Sequence, residues 1–409
     1  MYNRSEGISE SIWYEKPSDN TNYIEMKQKP LTGIKIIDLT RLLPGPMCTL
    51  HLADMGAEVL KVEDTIVGDY ARSIPPIQNK NSFFFNAINR NKRSIAIDLT
   101  KNEGRQLFLK LTETADVIVE SFRPGVVTKL GIDYDTVKKL NPHIIYCAIT
   151  GYGQTGPYMD MAGHDINFCA YAGILDRKDS KPVIPDFQIG DIVGGSLNAA
   201  MGILAALVQQ KMTGEGQYID VAMMDGVLAH ATTALSQIRY GKGLLTGALP
   251  CYAIYETSDN KFMALGALEF KFWERFCKTI DRNDLIPFHM VMGEDAKKTF
   301  AEVSSVFKSN TREYWTEKLK SSDCCVSPVL SLKEALNNEQ VQARAMVQTI
   351  NSPTEGEMQQ FALPLKFSSF EFEAELPAPQ RGEHTTQELL KIGYSETEIQ
   401  ELRDSKIIL

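Results

Sequence analysis

The chain has 409 residues, of which 43% are hydrophobic and 23% charged, and a formal net charge of -9. Length and apolar content suit a globular protein of two or three domains with a core of ordinary size. The acidic balance argues against nucleic acid as a partner, since phosphate backbones are held by clustered Lys and Arg, yet it leaves room for a local basic pocket that takes an anionic small molecule.

Residues 1–30 read as a polar extension. They show no apolar periodicity and have neither the apolar core of a secretory signal nor the acid-poor pattern of a transit peptide. From Leu31 the pattern becomes α/β. An apolar strand at 34–39 (IKIIDL) is followed by a Pro- and Gly-containing loop, a helix at 47–55 and a strand at 58–62 (EVLKV), which is a βαβ unit. Strands at 94–99, 116–120 and 143–150 alternate with helices at 103–114 and 134–140. The strands are apolar throughout, as in a parallel sheet covered on both faces. The fold class is therefore α/β, with a Rossmann-like open parallel sheet, and the loops after Leu39, Val62, Glu120 and Thr150 are the site loops. A small-residue helix at 195–211 and a strand at 217–222 complete a large domain spanning 31–225.

A linker at 226–250 leads to a smaller α+β domain at 251–345. Its hairpin strands, 252–255 and 261–265, flank Ser258-Asp259-Asn260, and helices follow at 272–280 and 312–319. Residues 346–409 form a return segment that joins the large domain and ends in a polar helix near 395–403. No uninterrupted apolar run approaches the ~18 residues of a membrane span, so no membrane association is expected. Seven scattered cysteines (Cys48, Cys147, Cys169, Cys251, Cys277, Cys324, Cys325) form no C-x-x-C pair. They fit reduced thiols in a cytoplasmic protein without a metal site.

A dinucleotide cofactor is disfavoured because TRLLPGPM, with two prolines and no G-x-G-x-x-G, follows the first strand. The loop Gly151 to Pro157 (GYGQTGP) brings glycines to the end of a strand, where they serve either a ligand or a plain turn. His164 is a proton-transfer candidate or a satisfied structural histidine. Asp191 lies among glycines before the small-residue helix, as a functional carboxylate or a capping one. Glu269, after the hairpin, is a surface acid unless its surroundings say otherwise.

Taken in order, seven segments resemble the class III CoA-transferase and α-methylacyl-CoA racemase family. They are LTGIKIIDLTRLLPGPMCTLHLADMGAEVLKVE, NRNKRSIAIDLTKNEG, ADVIVESFRPGVVTKLGI, YCAITGYGQTGPYMDMAGHDINF, IGDIVGGS, TGEGQYIDVAMMDG and DCCVSPVL, spanning roughly 31–350. The resemblance implies acyl-CoA thioester substrates, no cofactor beyond coenzyme A as part of the substrate, no metal, and an interlocked homodimer. In the racemase branch it makes Asp191 and His164 the two bases of a 1,1-proton transfer, with Glu269 orienting or protonating His164. In the transferase branch it makes Asp191 the nucleophile that attacks the acyl thioester.

The same resemblance places Gly163, Asp165, Ile166, Asn167 and Phe168 along the acyl and pantetheine channel. Arg41, Ile97, Asp98, Leu99, Thr100, Lys101 and Lys129 fall at the CoA-binding positions. Several residues depart from the racemase pattern: Ile192 follows Asp191, and Asp64 stands where an arginine is common. The leading expectation is a 2-methylacyl-CoA epimerase. An acyl-CoA:carboxylate CoA-transferase is the alternative, and a non-catalytic CoA-binding protein comes third.

Overall fold

A computed structural model describes residues 28–176, 181–235 and 244–409. Most of the expected N-terminal extension and part of the expected linker lie outside these residues. Six strands form one parallel sheet: β1 (Lys35–Asp38), β2 (Glu58–Glu63), β3 (Lys92–Ala96), β4 (Val117–Glu120), β5 (Ile145–Thr150) and β6 (Tyr218–Ala222). Their order is β3-β2-β1-β4-β5-β6. Alternate residues feed two cores: Ile36, Val117, Val119, Ile145 and Cys147 enter one, while Ile37, Ile118 and Tyr146 enter the other. This is why the strands are apolar at nearly every position rather than at every second one.

Helices α1 (Pro44–Asp54), α2 (Phe83–Ile88), α3 (Asn102–Thr112), α4 (Val126–Leu130), α5 (Tyr134–Leu140), α6 (Asp165–Tyr171), α7 (Asn198–Thr213) and α8 (Met223–His230) accompany the sheet. Pro44 opens α1, where its missing N–H has no cost. Helix α7 is preceded by a π-helical stretch, Gly190–Leu197, so the continuous helical run begins five residues before the 195 read from sequence. By length and composition the run Gly190–Thr213 passes as a membrane span. Its Ala199, Ala200, Ile203, Ala206 and Leu207 are instead buried in the core shared with the sheet. The helix α8 crosses the boundary expected at 225/226.

A three-stranded antiparallel sheet, β7 (Tyr252–Glu256), β8 (Phe262–Gly266) and β9 (Val326–Pro328), has its own core around Trp273, Phe276, Phe307 and Trp315. The return segment contains an antiparallel hairpin, β10 (Val347–Ser352) and β11 (Gly356–Phe361), which the sequence reading did not anticipate. Two terminal helices, Thr385–Lys391 and Glu396–Asp404, put Leu389 and Ile399 into the second core of the large sheet. All seven cysteines are free, and only Cys325 is exposed.

Candidate active site

The strand order reverses between β1 and β4, and open α/β sheets place ligands in the crevice there. A cleft of about 600 Å³ opens at that point, well within the size range of small-molecule sites. Leu39 to Pro44 after β1, Ser121 to Val126 after β4 and Thr150 to Tyr152 after β5 contribute to its walls. His164, Phe168 and Asp191 complete it.

The loop after β1 is held from below. Leu42 has φ +63°, a backbone setting a leucine seldom adopts. Its N–H donates to Asp69 Oδ1 at 3.0 Å. Lys61 Nζ donates to the Thr40 carbonyl at 2.7 Å and pairs with Asp69 at 2.9 Å. Lys92 Nζ pairs with Asp38 at 3.1 Å and also donates to the Pro46 carbonyl. All four charged side chains are completely buried. Burial pulls the Asp38 carboxyl upward, but Lys61 and Lys92 outweigh it and hold the group below the usual range. Burial lowers the Lys92 ammonium to about 8 despite Asp38.

Asp191 sits in the first turn of the π-helical stretch. Its N–H donates to Asp165 Oδ1 at 3.0 Å. A Cβ on Gly190 would lie 2.9 Å from that same oxygen, so glycine is what allows the approach. One turn later, a Cβ on Gly194 would stand 2.3 Å from the Met223 carbonyl, so α8 packs directly on this backbone. Ser196 Oγ donates to the Pro44 carbonyl and ties the turn to the start of α1. Burial, reinforced by the nearby Asp165 charge, pushes the Asp191 carboxyl up to about 7.

His164 immediately precedes α6. Its N–H donates to Asn167 Oδ1 at 3.0 Å, and its carbonyl accepts from the Asn167 N–H at 2.8 Å. Asn167 therefore fixes the helix start that presents the imidazole. Gly151 and Gly163 have a packing reason. A Cβ on either would come within 2.7 Å of the Phe168 ring, which is itself 3% exposed.

The expected site residues thus divide. Asp191, His164, Gly163, Phe168 and Arg41 line one cleft. Asp165 and Asn167 hold backbone beside it, and Ile166 is exposed. Arg41 is engaged by Asp64 at 3.3 Å and by the Tyr70 hydroxyl at 3.0 Å, under the face of Phe122.

The 97–101 turn lies apart from the cleft walls. Ile97 bridges to Ile408, Thr100 N–H donates to Asp98 Oδ1, and Lys101 Nζ donates to the Ser405 carbonyl, with Leu99 half-buried alongside. Lys129 is an exposed residue in the last turn of α4. Glu269 is exposed at the N-terminus of the helix Phe270–Thr279 and does not line the cleft of its own chain.

Sequence reading missed Arg123, Tyr70, Tyr152, Met159 and Met161 in the cleft wall. Position immediately after a strand end was the available signal for Arg123 and Tyr152. Among the described residues, no three His, Cys, Asp or Glu side chains converge as a metal site.

A family model described as CoA-transferase family III matches residues 31–385. Human α-methylacyl-CoA racemase is 32% identical over 391 residues, covering 92% of this chain and 97% of that protein. Mouse succinyl-CoA:glutarate CoA-transferase is 32% identical over 413 residues, covering 97% and 93%. The crystal structure of a CaiB/BaiF family protein from Brucella suis aligns with TM-score 0.77 at 28% identity, covering 89% of this chain and all of that one.

Proposed function

The chain belongs to CoA-transferase family III, and we propose that it epimerises 2-methylacyl-CoA thioesters by two-base 1,1-proton transfer, with Asp191 and His164 as the bases. The observation that carries this reading is that both side chains line one cleft at the strand-order reversal. A carboxyl displaced to about 7 suits removal of an α-proton near neutral pH, because a general base works best when its pKa lies close to the working pH. One group takes the proton from the carbon next to the thioester carbonyl, and the other returns a proton to the opposite face.

Coenzyme A enters as part of the substrate, and no other cofactor or metal is required by this chemistry. The proposed setting is cytoplasmic. A homodimer is part of the proposal. Met201, Val208 and Met212 on α7 and Leu228 on α8 leave apolar surface exposed in one chain, of the kind a second copy covers. In such an assembly Glu269, which does not line the cleft of its own chain, is proposed to orient or protonate His164.

The second reading is acyl transfer to a carboxylate with Asp191 as nucleophile. The equal identity to a racemase and to a transferase keeps it in view. One experiment separates the two. The protein is incubated in D2O with one epimer of a 2-methylacyl-CoA and no acid acceptor. α-Deuterium incorporation with epimerisation is expected. Absence of exchange, together with CoA movement to an added dicarboxylate, would replace the first reading by the second.

A further inference from the structure

Glu120, the last residue of β4, is 2% exposed and has no part in the chemistry proposed above. Its setting differs from that of the other buried acids. Asp38, Asp54, Glu63 and Asp69 each pair with a lysine or an arginine. Glu355 takes the N–H groups of Asn79, Lys80 and Asn81. Glu120 has one donor, the Phe122 N–H, on Oε2 at 2.7 Å. The sheet register sets Glu120 beside Ala148 and Ala148 beside Asp220, so the two acids share a row and a face. The row beneath is Ile118, Tyr146 and Tyr218, with the two phenol rings stacked at 5.9 Å. Cys147 on β5 lies near Glu120, and Asp133 at the start of α5 lies near Tyr146. None of these neighbours is a cation. Arg123 and Lys129, on the adjoining loop and α4, are exposed, and among the described residues no ion pair links either to Glu120.

The position matters because Glu120 stands at the seam of the crevice. Leu39 N–H donates to the Val119 carbonyl at 2.8 Å, and Arg41 N–H donates to Ser121 Oγ at 3.3 Å. The Arg41 guanidinium lies 5.6 Å from the Phe122 ring centre. Ser121, Phe122 and Arg123 all line the cleft, so the Glu120–Phe122 hydrogen bond fixes the wall that faces the loop after β1. A buried carboxylate with no cation to pair with is driven to its neutral form. We propose that Glu120 is a positioning residue: uncharged, it pins the Ser121–Arg123 wall of the cleft, and ionised, it lets that wall go. An ionised Glu120 needs water and is repelled by Asp220, so the side chain leaves its niche and the hold on the Phe122 N–H goes with it. Burial, against the pull of that N–H and with the Asp220 charge adding to it, pushes the carboxyl up to about 8. The wall is therefore held at neutral pH and released in mild alkali.

As a device of the acyl-CoA site the proposal rests on the reading above, and two measurements keep them apart. Glu120→Gln keeps the shape and an acceptor oxygen but cannot ionise. The first measurement is amide hydrogen exchange of the Ser121–Arg123 segment in the free protein at pH 7, 8 and 9, corrected for the intrinsic rate at each pH. Wild-type protection of the Phe122 amide should fall across this range while that of the variant holds. Constant protection in wild type, or an equal fall in Glu120→Gln, overturns the proposal. If Glu120→Gln does not fold, Asp220→Asn replaces it and should carry the loss to lower pH; a loss at unchanged pH overturns the proposal. The second measurement is Kd for acetyl-CoA by calorimetry at pH 7 and 9. Around a value of about 8, the uncharged fraction of Glu120 falls from roughly nine-tenths to one-tenth, so Kd should rise about tenfold more in wild type than in Glu120→Gln. An equal rise in both proteins overturns the proposal. Wild type that binds no acetyl-CoA at any pH overturns the acyl-CoA reading instead, and the exchange measurement still decides the role of Glu120.

Discussion

Replacing Asp191 by Asn should abolish turnover and stabilise the protein, and both effects come from the same carboxyl. Burial first, then the Asp165 charge, lifts it from 3.8 to about 7. In the unfolded chain neither influence survives. Below the unfolded value both states hold the proton, and the substitution changes stability little. Between 3.8 and about 7 the unfolded chain has released a proton that the folded chain still keeps, so wild-type stability falls as pH rises. Once the folded group also ionises, above about 7, the loss is complete and constant. At about 1.4 kcal/mol per pH unit, the displacement sets a ceiling of ~4 kcal/mol. Asp191 faces an open cleft where solvent screens it, so roughly 2 kcal/mol is the working figure. In a chain of this length that is on the order of 2–4 °C in Tm. Differential scanning fluorimetry of both proteins from pH 4 to 8.5 reads it. The variant should gain on wild type up to neutral pH and then run parallel. A Tm difference independent of pH, or a wild type more stable than the variant at pH 8, would refute the reasoning. Either would mean that the ionised carboxylate has a favourable partner.

Asp165→Asn keeps an acceptor oxygen for the Asp191 N–H but removes the neighbouring charge that adds to the rise in Asp191. The acid limb of kcat/KM, expected near 7 in wild type, should move to lower pH; an unmoved limb assigns the rise to burial alone. His164→Ala should abolish epimerisation while leaving any CoA transfer largely intact, and survival of epimerisation would remove His164 from the pair of bases. Arg90→Met tests the scaffold: Arg90 pairs with Asp54 at 2.6 Å, both nearly or fully buried, and donates to Gln360 on β11. Leaving Asp54 unpaired should cost ~3–5 kcal/mol in chemical denaturation, and Arg90→Met combined with Asp54→Leu should recover part of it.

The large sheet was legible because its strands are buried on both faces: continuous short runs such as IKIIDL and HIIYCAIT, bounded by turn residues, match a fully buried strand better than an amphipathic helix. The β10–β11 hairpin was not. VQTINS and GEMQQF bury only alternate or scattered side chains, among them Ile350, Met358 and Gln360, so their hydrophobicity stays low. The helical start at Gly190 was hidden for a related reason. GDIVGGSL is a poor helix former by propensity, and it is helical here because Gly194 meets the Met223 carbonyl and Asp191 N–H meets Asp165. Tertiary contacts overrode the local preference. Lys61 and Lys92 look like ordinary charged interruptions of strands. Their carboxylate partners lie at Asp69 and Asp38, at separations no local pattern reveals.

That hidden cluster bears directly on the site. A backbone as strained as Leu42 persists only where surrounding contacts over-determine it. Here Asp69 takes the Leu42 N–H, Lys61 takes the Thr40 carbonyl, and Lys92 takes the Pro46 carbonyl. The two lysines are neutralised by two aspartates, so the cluster fixes the Arg41–Pro44 wall without lending the cleft a net charge. The wall is rigid and electrically quiet, and local charge in the cleft comes from Arg41, Arg123 and Asp191. The crevice follows from strand order alone, as in any sheet of this topology. The chemistry proposed for it follows from chain that lies beyond the strands: the turn that buries Asp191 against Asp165 and the Asn167-held start of α6 that presents His164. On the proposed reading, a change in the sheet would therefore remove the site altogether, whereas a change in either of these two should leave the cleft in place and impair its catalysis.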